Sequence, residues 1–393
     1  MKRLLIVGAS AYQHYIYTTA RQSGLWICAV DADPDAPMFR YCNQHRALDF
    51  AEVPAVASFA RDIGVDAVAT INLDQGMRAV ASLQQMLGLP GLSTEAATQA
   101  TRKDLMRQTW EDAGISQPYY RVFGRDQHAE ALSFARTYPE RLIVKPVDNA
   151  AKRGISVVHP DSGGVEGAIE KAFDASVASK VIIEEFIEGT LIFAATYLRR
   201  RGREPFVQLM KQYTNQELVQ LRFEAPFTFG DQVDSKVKAE ALRAARCFGS
   251  GPFHTEIIVT ASGIPYLVET SPRVSYATVS LSRLVAGFDP VAEVINDALD
   301  SDEVATELEG GGCAVLEHLE PREGAVFRPR TPLPKMPAAL HEIVPVVPEG
   351  FVVQRFATNE DRVGYFTVSG RSRREVDDAR TTVRDVLLTS FFG

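Results

Sequence analysis

HTEIIVTASGIPYLVETSPR, residues 254–273, holds two β-rich runs around Ser262-Gly263, a dipeptide suited to a tight turn. If that pair is a two-residue hairpin loop, Ala261 faces Ile264, and continuing the ladder sets Glu256 opposite Glu269 and His254 opposite Ser271. The two-residue period of a strand then turns all four side chains to one face. Two carboxylates directly opposite, with Cβ atoms roughly 5 Å apart, repel unless something positive lies between them. A hard cation fits, because magnesium takes oxygen ligands and is usually held by one or two carboxylates plus nucleotide phosphates. On spacing alone a surface hairpin with two solvated glutamates is the competing reading, and the rest of the chain has to decide.

Outward from the hairpin, 393 residues are too many for one ordinary core, so two or three domains are expected. Apolar residues at 46% and charged residues at 23% describe a soluble globular protein of enzyme size rather than a disordered chain. A net charge of −8 speaks against nonspecific nucleic-acid or anionic-membrane binding, so small anionic substrates would need specific lysines and arginines. The opening MKRLLIVGASAYQHYIY breaks its apolar run with Tyr, Gln and His, and no stretch reaches the length of a membrane span. Cys28, Cys42, Cys247 and Cys313 are scattered, without metal spacing, and read as reduced thiols in cytoplasm.

Arg3–Val7, a glycine turn and Trp26–Val30 make a βαβ opening, but the remainder of the dinucleotide fingerprint is missing after Gly8, which disfavours NAD. Alternating helices and strands continue to the turn Leu89-Pro90-Gly91, and a first domain is expected over 1–97. The spacing predicts one helix over Thr94–Gly114 that carries Lys103. Leu142–Pro146 reads as a strand ending on Lys145, followed by the polar loop VDNAAKRG with Lys152 and Arg153, a candidate lid over phosphates. Val181–Gly189, VIIEEFIEG, reads as a strand breaking into a hinge able to offer carboxylates and backbone groups to a purine edge. Asp300–Gly312 marks a boundary, which gives a second domain over 98–310 with a lid lobe at about 118–188, and an α+β extension over 311–393.

Taken together, AVDADPDAPM, GLPGLSTEAATQATRKDLMRQTWEDAGISQP, LIVKPVDNAAKRGISVV, VIIEEFIEG, the opening hairpin and VGYFTVSGRSRREVDDA resemble the ATP-grasp superfamily, in particular its carboxylate–amine ligase branch with the bacterial L-amino acid ligases. The resemblance implies an α/β and α+β multidomain fold: a Rossmann-like N-terminal domain, a central ATP-grasp domain of two α+β lobes and a small C-terminal extension. It implies that Lys103 and Lys145 contact ATP phosphates, with Lys152 and Arg153 on the lid loop. Glu184 would accept from the adenine amino group, and the backbone around Glu185, Phe186 and Ile187 would complete the purine edge. Glu256 and Glu269 match the metal carboxylates, for Mg2+ with Mn2+ as the alternative, and Arg273 matches the arginine beside the transferred phosphoryl group. Two positions depart from the family pattern. Ser271 stands where an Asn metal ligand is usual, and Leu191 where a ribose-binding Glu is common, a role Glu188 could take.

The activity implied is ATP-dependent amide or peptide bond formation through an acyl phosphate, from a small carboxylate and an amine that is amino-acid-like. Neither nucleic acid nor membrane is expected as a partner, and assembly as a homodimer stays open. Two alternatives stand beside this one: a carboxylase-type enzyme activating bicarbonate for a purine intermediate, and a nucleotide-binding protein with weakened catalysis.

Overall fold

The computed structural model describes residues 1–149, 152–200, 203–303, 308–330 and 332–392. The N-terminal sheet is parallel, with β1 (Arg3–Val7), β2 (Trp26–Asp31), β3 (Gln44–Ala47) and β4 (Ala67–Ala69) in the order β3-β2-β1-β4. Its connections are α1 (His14–Gln22), α2 (Val53–Ile63) and, after β4, α3 (Gly76–Leu87). Residues 4–7 of β1 are wholly buried, as a central strand covered on both faces requires.

Two helices follow where one was expected. α4 (Thr94–Thr101) stops at Arg102, whose φ of −112° and ψ of 112° are extended, and α5 (Lys103–Asp112) begins at once. The break has a tertiary cause. The Lys103 backbone N–H donates to the Val147 carbonyl at 2.8 Å instead of continuing the helix ladder, and Arg102 folds back onto Asp104 at 2.7 Å. Lys103 is thereby the first residue of a new helix, pinned to the loop after the lid strand. The expected 97/98 boundary falls inside α4.

The lid sheet contains β5 (Tyr120–Gly124), β6 (Leu142–Pro146), β7 (Ser156–Val158) and β8 (Lys180–Glu185) in the antiparallel order β5-β8-β6-β7. Its core packs against α6 (His128–Thr137) and α7 (Val165–Asp174). The third sheet has eight strands. β9 (Thr190–Leu198), β10 (Phe206–Thr214) and β11 (Gln220–Ala225) precede α8 (Asp231–Arg246) and the hairpin β12 (Gly251–Val259) and β13 (Pro265–Ser271). After α9 (Tyr276–Ala286) and α10 (Pro290–Ala298), β14 (Cys313–His318), β15 (Leu340–Pro345) and β16 (Gly364–Gly370) join the same sheet, and α11 (Arg373–Phe392) covers it. The order is β13-β12-β9-β10-β11-β14-β16-β15. The last segment is thus no free-standing appendage: β14 pairs with β11, satisfying an edge that would otherwise be open.

One core unites Leu4 and Ile6 of the first sheet, Phe193 and Tyr197 of the third, and Val274 and Ile295 between them. The N-terminal sheet and the hairpin are therefore held in fixed relation. No helix among the described residues is long and apolar enough to cross a membrane.

Candidate active site

The hairpin β12–β13 pairs Glu256 with Glu269 and His254 with Ser271, the expected register, but it arrives there differently. The loop has three residues, Ala261 to Gly263, because Gly263 N–H donates to the Thr260 carbonyl at 2.9 Å and Thr260 N–H to Ile264 at 3.0 Å. Gly263 has φ 77°, the left-handed position that such a loop demands. That turn shifts the ladder by one, so Val259 faces Pro265 and Ile257 faces Leu267. A bulge at Val268 then inserts one residue and restores the pairing at Glu256 and Glu269. Arg107 fastens this irregular stretch, donating through Nη2 to the Val268 carbonyl at 2.7 Å and through Nη1 to the Leu267 carbonyl at 3.3 Å.

His254, Glu256, Glu269 and Ser271 all line a cavity of about 480 Å3, with Lys103, Lys152, Arg153 and Arg273. Each glutamate carries a lysine: Lys103 Nζ is 3.1 Å from Glu269 Oε1, and Lys152 Nζ is 3.3 Å from Glu256 Oε2. Gln220 donates to the other Glu256 oxygen at 2.8 Å. Burial raises the Glu256 carboxyl, but Lys152 and the neighbouring donors outweigh it and hold the group below its usual range. The same pair works in reverse on Lys152, whose burial penalty is overcome by Glu256 and Glu269, so its ammonium titrates above its usual value. His254 is pushed down to about 3, chiefly by burial and then by Arg273, so it is neutral near pH 7.

Among the lining residues, five cationic side chains (Lys103, Lys152, Arg153, Arg273, Arg362) face four carboxylates (Asp74, Glu256, Glu269, Glu360). Such a balance leaves room for a polyanion that brings its own divalent cation. The metal fits the donor set: two facing carboxylates, each now beside a lysine ammonium, lie where a hard cation would find oxygen ligands. Among the described residues no three His, Cys, Asp or Glu side chains form a complete cage, so phosphates and water would have to supply the other ligands.

Not every expected residue meets here. Lys145 Nζ lies 2.7 Å from Glu184, and Arg107 grips the same carboxylate from Nε at 3.0 Å and Nη2 at 3.1 Å. The Arg107 and Glu184 side chains are each 1% exposed. Both Glu184 oxygens are therefore engaged, which differs from the expected free acceptor for an adenine amino group: two cations satisfy this buried charge from within the protein. Burial raises the Glu184 carboxyl, yet Arg107 and Lys145 together bring it below its ordinary range, while burial lowers Lys145. Along the hinge, Glu185 accepts from Tyr119 N–H at 2.8 Å, Glu188 pairs with Arg141, the Arg141 guanidinium stacks 4.3 Å from the Phe186 ring centre, and Ile187 is half-buried. On the lid loop, Arg153 is 3.1 Å from Glu360 of the C-terminal segment. Ser271 lines the cavity beside Asp74; burial raises the Asp74 carboxyl, but Arg273, and after it the Ser271 hydroxyl, outweigh burial and hold the group below its usual range.

The sequence reading missed Asp74, Arg107, Gln220, Asn359 and Arg362. Asp74 holds Arg273 in a two-point contact at 2.7 and 3.0 Å. Arg362, buried, reaches the site from the C-terminal segment and donates to Gln220 O at 3.0 Å, Asn359 Oδ1 at 2.7 Å and the Tyr276 hydroxyl at 3.1 Å. Arg107 alone left a signal, because it follows Lys103 by four residues and so shares its helix face.

A parallel N-terminal sheet, a four-stranded lid and a larger sheet whose hairpin aims two glutamates into the intervening cavity are the architecture of the ATP-grasp fold. No family model matches the chain. Among curated proteins it is similar to formate-dependent phosphoribosylglycinamide formyltransferases, 23% identical over 281 residues to that of Solidesulfovibrio magneticus and 24% over 297 residues to that of Burkholderia lata, covering 69% of this chain and 69% of the relative in each case. Among solved structures, L-amino acid ligase from Bacillus licheniformis superposes with a TM-score of 0.82 at 18% identity, covering 100% of this chain and 98% of that one. Phosphoribosylglycinamide synthetase from Anaerococcus prevotii gives 0.76 at 19% identity over 99% and 98% of the two chains.

Proposed function

We propose that the protein is an ATP-dependent, ADP-forming carboxylate–amine ligase acting in the cytoplasm. The observation that carries this reading is the facing pair Glu256 and Glu269, set in one cavity with Lys103, Lys152 and Arg273. The formyltransferase relatives and the L-amino acid ligase neighbour support it, as do neighbours solved with ADP or MgADP. A substrate carboxylate oxygen attacks the γ-phosphorus, the bond from that phosphorus to the β,γ-bridging oxygen breaks, and ADP leaves. An amine nitrogen then attacks the acyl carbon, the acyl–phosphate C–O bond breaks, and the nitrogen's proton passes to solvent. Positioning and charge neutralisation dominate such transfers, and no covalent nucleophile is needed. Lys103, Lys152 and Arg273 would neutralise phosphate charge once the lysines let go of the glutamates. Glu256 and Glu269, with Ser271 nearby, would hold magnesium, which supplies charge neutralisation at the transferring phosphoryl group. Lys145 joins them if it exchanges Glu184 for a phosphate. We also propose division of the chain into N-terminal, ATP-grasp and C-terminal parts near residues 97 and 310.

The test is ADP and phosphate release across a panel of amino acids, other carboxylates and bicarbonate, with the product identified by mass. Release with a carboxylate and an amine supports the ligase; release with bicarbonate alone moves the assignment to a carboxylase. Nucleotide binding without release identifies a binding protein, a reading that the sealed Lys145–Glu184 pair favours.

A further inference from the structure

Gln220, the first residue of β11, stands between two groups that fix which way its amide can point. Its Nε2 donates to Glu256 Oε1 at 2.8 Å, and its Oε1 accepts from Arg362 Nη2 at 3.1 Å and from Asn359 Nδ2 at 3.4 Å. A guanidinium has donors only and an ionised carboxylate acceptors only, so the amide oxygen must face Arg362 and the amide nitrogen Glu256. Turned over, the amide would set donor against donor and acceptor against acceptor.

The loop before β16 also grips the main chain of Gln220. The Gln220 N–H donates to Asn359 Oδ1 at 3.1 Å, and the Gln220 carbonyl accepts from Arg362 Nε at 3.0 Å. Arg362 is buried, and its acceptors are all neutral: the two Gln220 oxygens, Asn359 Oδ1 and the Tyr276 hydroxyl. Its planar fork therefore holds the backbone and the side chain of Gln220 in one fixed arrangement.

The consequence falls on Glu256, whose two oxygens have different partners. Oε1 is bonded to Gln220, which the C-terminal segment anchors, whereas Oε2 accepts from Lys152 of the lid loop, which another cation can replace. We propose that Gln220 is a positioning residue for the cation site: Arg362 orients its amide, and the amide turns Glu256 so that Oε2 alone is presented to the cation. The C-terminal segment thereby sets the geometry of a site built on the hairpin while supplying no ligand to it. This assignment rests on the ligase reading, in which Glu256 holds the metal.

The experiment uses the full chain, a non-hydrolysable ATP analogue and Mn2+ as the probe, with free Mn2+ read by electron paramagnetic resonance. Analogue affinity is measured separately in chelator. Gln220→Met keeps the length of the side chain and removes both amide groups. Its Mn2+ dissociation constant should rise about tenfold, the scale of losing a group that orients a metal ligand. Analogue affinity in chelator and the melting temperature should match those of the natural protein, and Gln220→Ala serves as a second variant lacking the amide. Arg362→Met should weaken Mn2+ binding in the same direction, yet cost nothing further when added to Gln220→Met, because one residue acts through the other. Arg362→Lys keeps the charge and a donor; it should recover most of the Arg362→Met loss, and it replaces that variant in the cycle should Arg362→Met not fold.

An unchanged Mn2+ constant in both Gln220 variants overturns the proposal. So does an equal loss of analogue affinity in chelator, which would put Gln220 on the nucleotide instead, and additive losses in the cycle overturn the relay from Arg362. The two readings fail differently. A natural protein whose analogue affinity does not respond to Mn2+ takes the metal assignment down together with this proposal, whereas a normal response that Gln220→Met and Gln220→Ala leave intact removes the proposal alone.

Discussion

Glu184 and Glu256 are both buried glutamates within reach of a lysine, yet they sit in opposite settings. Glu184 is clamped by Arg107 and Lys145 between the lid sheet and the hairpin, with both oxygens taken. Glu256 lies on the wall of an open cavity, facing a second carboxylate, and its lysine belongs to the lid loop. A closed triad spends its charge on holding elements together. A pair of carboxylates with loop-borne counter-ions keeps that charge exchangeable, because Lys152 can be replaced by another cation without opening the core. The difference separates scaffold from chemistry in a region where the residue types are the same.

The comparison breaks most visibly at Glu184. Glu184→Gln leaves Arg107 and Lys145 buried with only a neutral acceptor, and the expected loss of stability is about 3–5 kcal/mol, read from denaturant unfolding. A loss under about 1 kcal/mol would make the triad no more structural than a surface pair.

Acid sharpens the same contrast. Glu184 titrates below its unfolded value in the folded chain, so its contribution is present above the ordinary carboxylate range and is lost as pH falls through the depressed value. The stability gap between the natural protein and Glu184→Gln should therefore narrow as pH falls below about 4, near the unfolded glutamate pKa. His318 is kept well below its ordinary range by burial, so it adds a separate loss that begins near pH 6.5 in both proteins. A gap independent of pH from 7 to 3 would refute the assignment.

In the open pair the expected effects are smaller. Ser271→Ala should weaken Mg2+ dependence about tenfold, or about 1.4 kcal/mol, whereas Ser271→Asn should keep or tighten it. Metal titration of ATP turnover measures both, and no change in either variant would remove Ser271 from the neighbourhood of the ion. Smallest and most local is the lid loop. Amide exchange at Lys152 and Arg153 should slow when ATP is added, as their glutamate contacts are exchanged for phosphates; equal exchange at saturating nucleotide would mark the loop as structural.

Much of this arrangement is legible along the chain, for reasons that individual residues make plain. Alternation in the two runs around Ser262-Gly263 places Glu256 and Glu269 on one face, and that inference survives because the loop and the bulge shift the ladder in opposite directions. Neither shift is written in the residue types: Val268 has no feature that marks a bulge, and the group that holds its carbonyl there is Arg107, a side chain from a distant helix. The break at Arg102 is equally hidden, since the Lys103 amide is captured by Val147, a tertiary contact that overrides a helical pattern. Asp74 and Arg362 come from loops far apart in sequence and meet the hairpin only in space. The role assigned to Glu184 rested on its motif alone, and only the packing reveals that Arg107 and Lys145 already engage it.

The central claim is that Glu256 and Glu269 hold the cation that nucleotide brings. It is tested most directly by titrating Mg2+ against nucleotide affinity and ADP release in the natural protein, Glu256→Gln and Glu269→Gln. Nucleotide binding should tighten with metal in the natural protein, and both the tightening and the ADP release should disappear in Glu269→Gln while its melting temperature is retained. Full ADP release in Glu269→Gln, or unchanged release by the natural protein in excess chelator, would contradict the account.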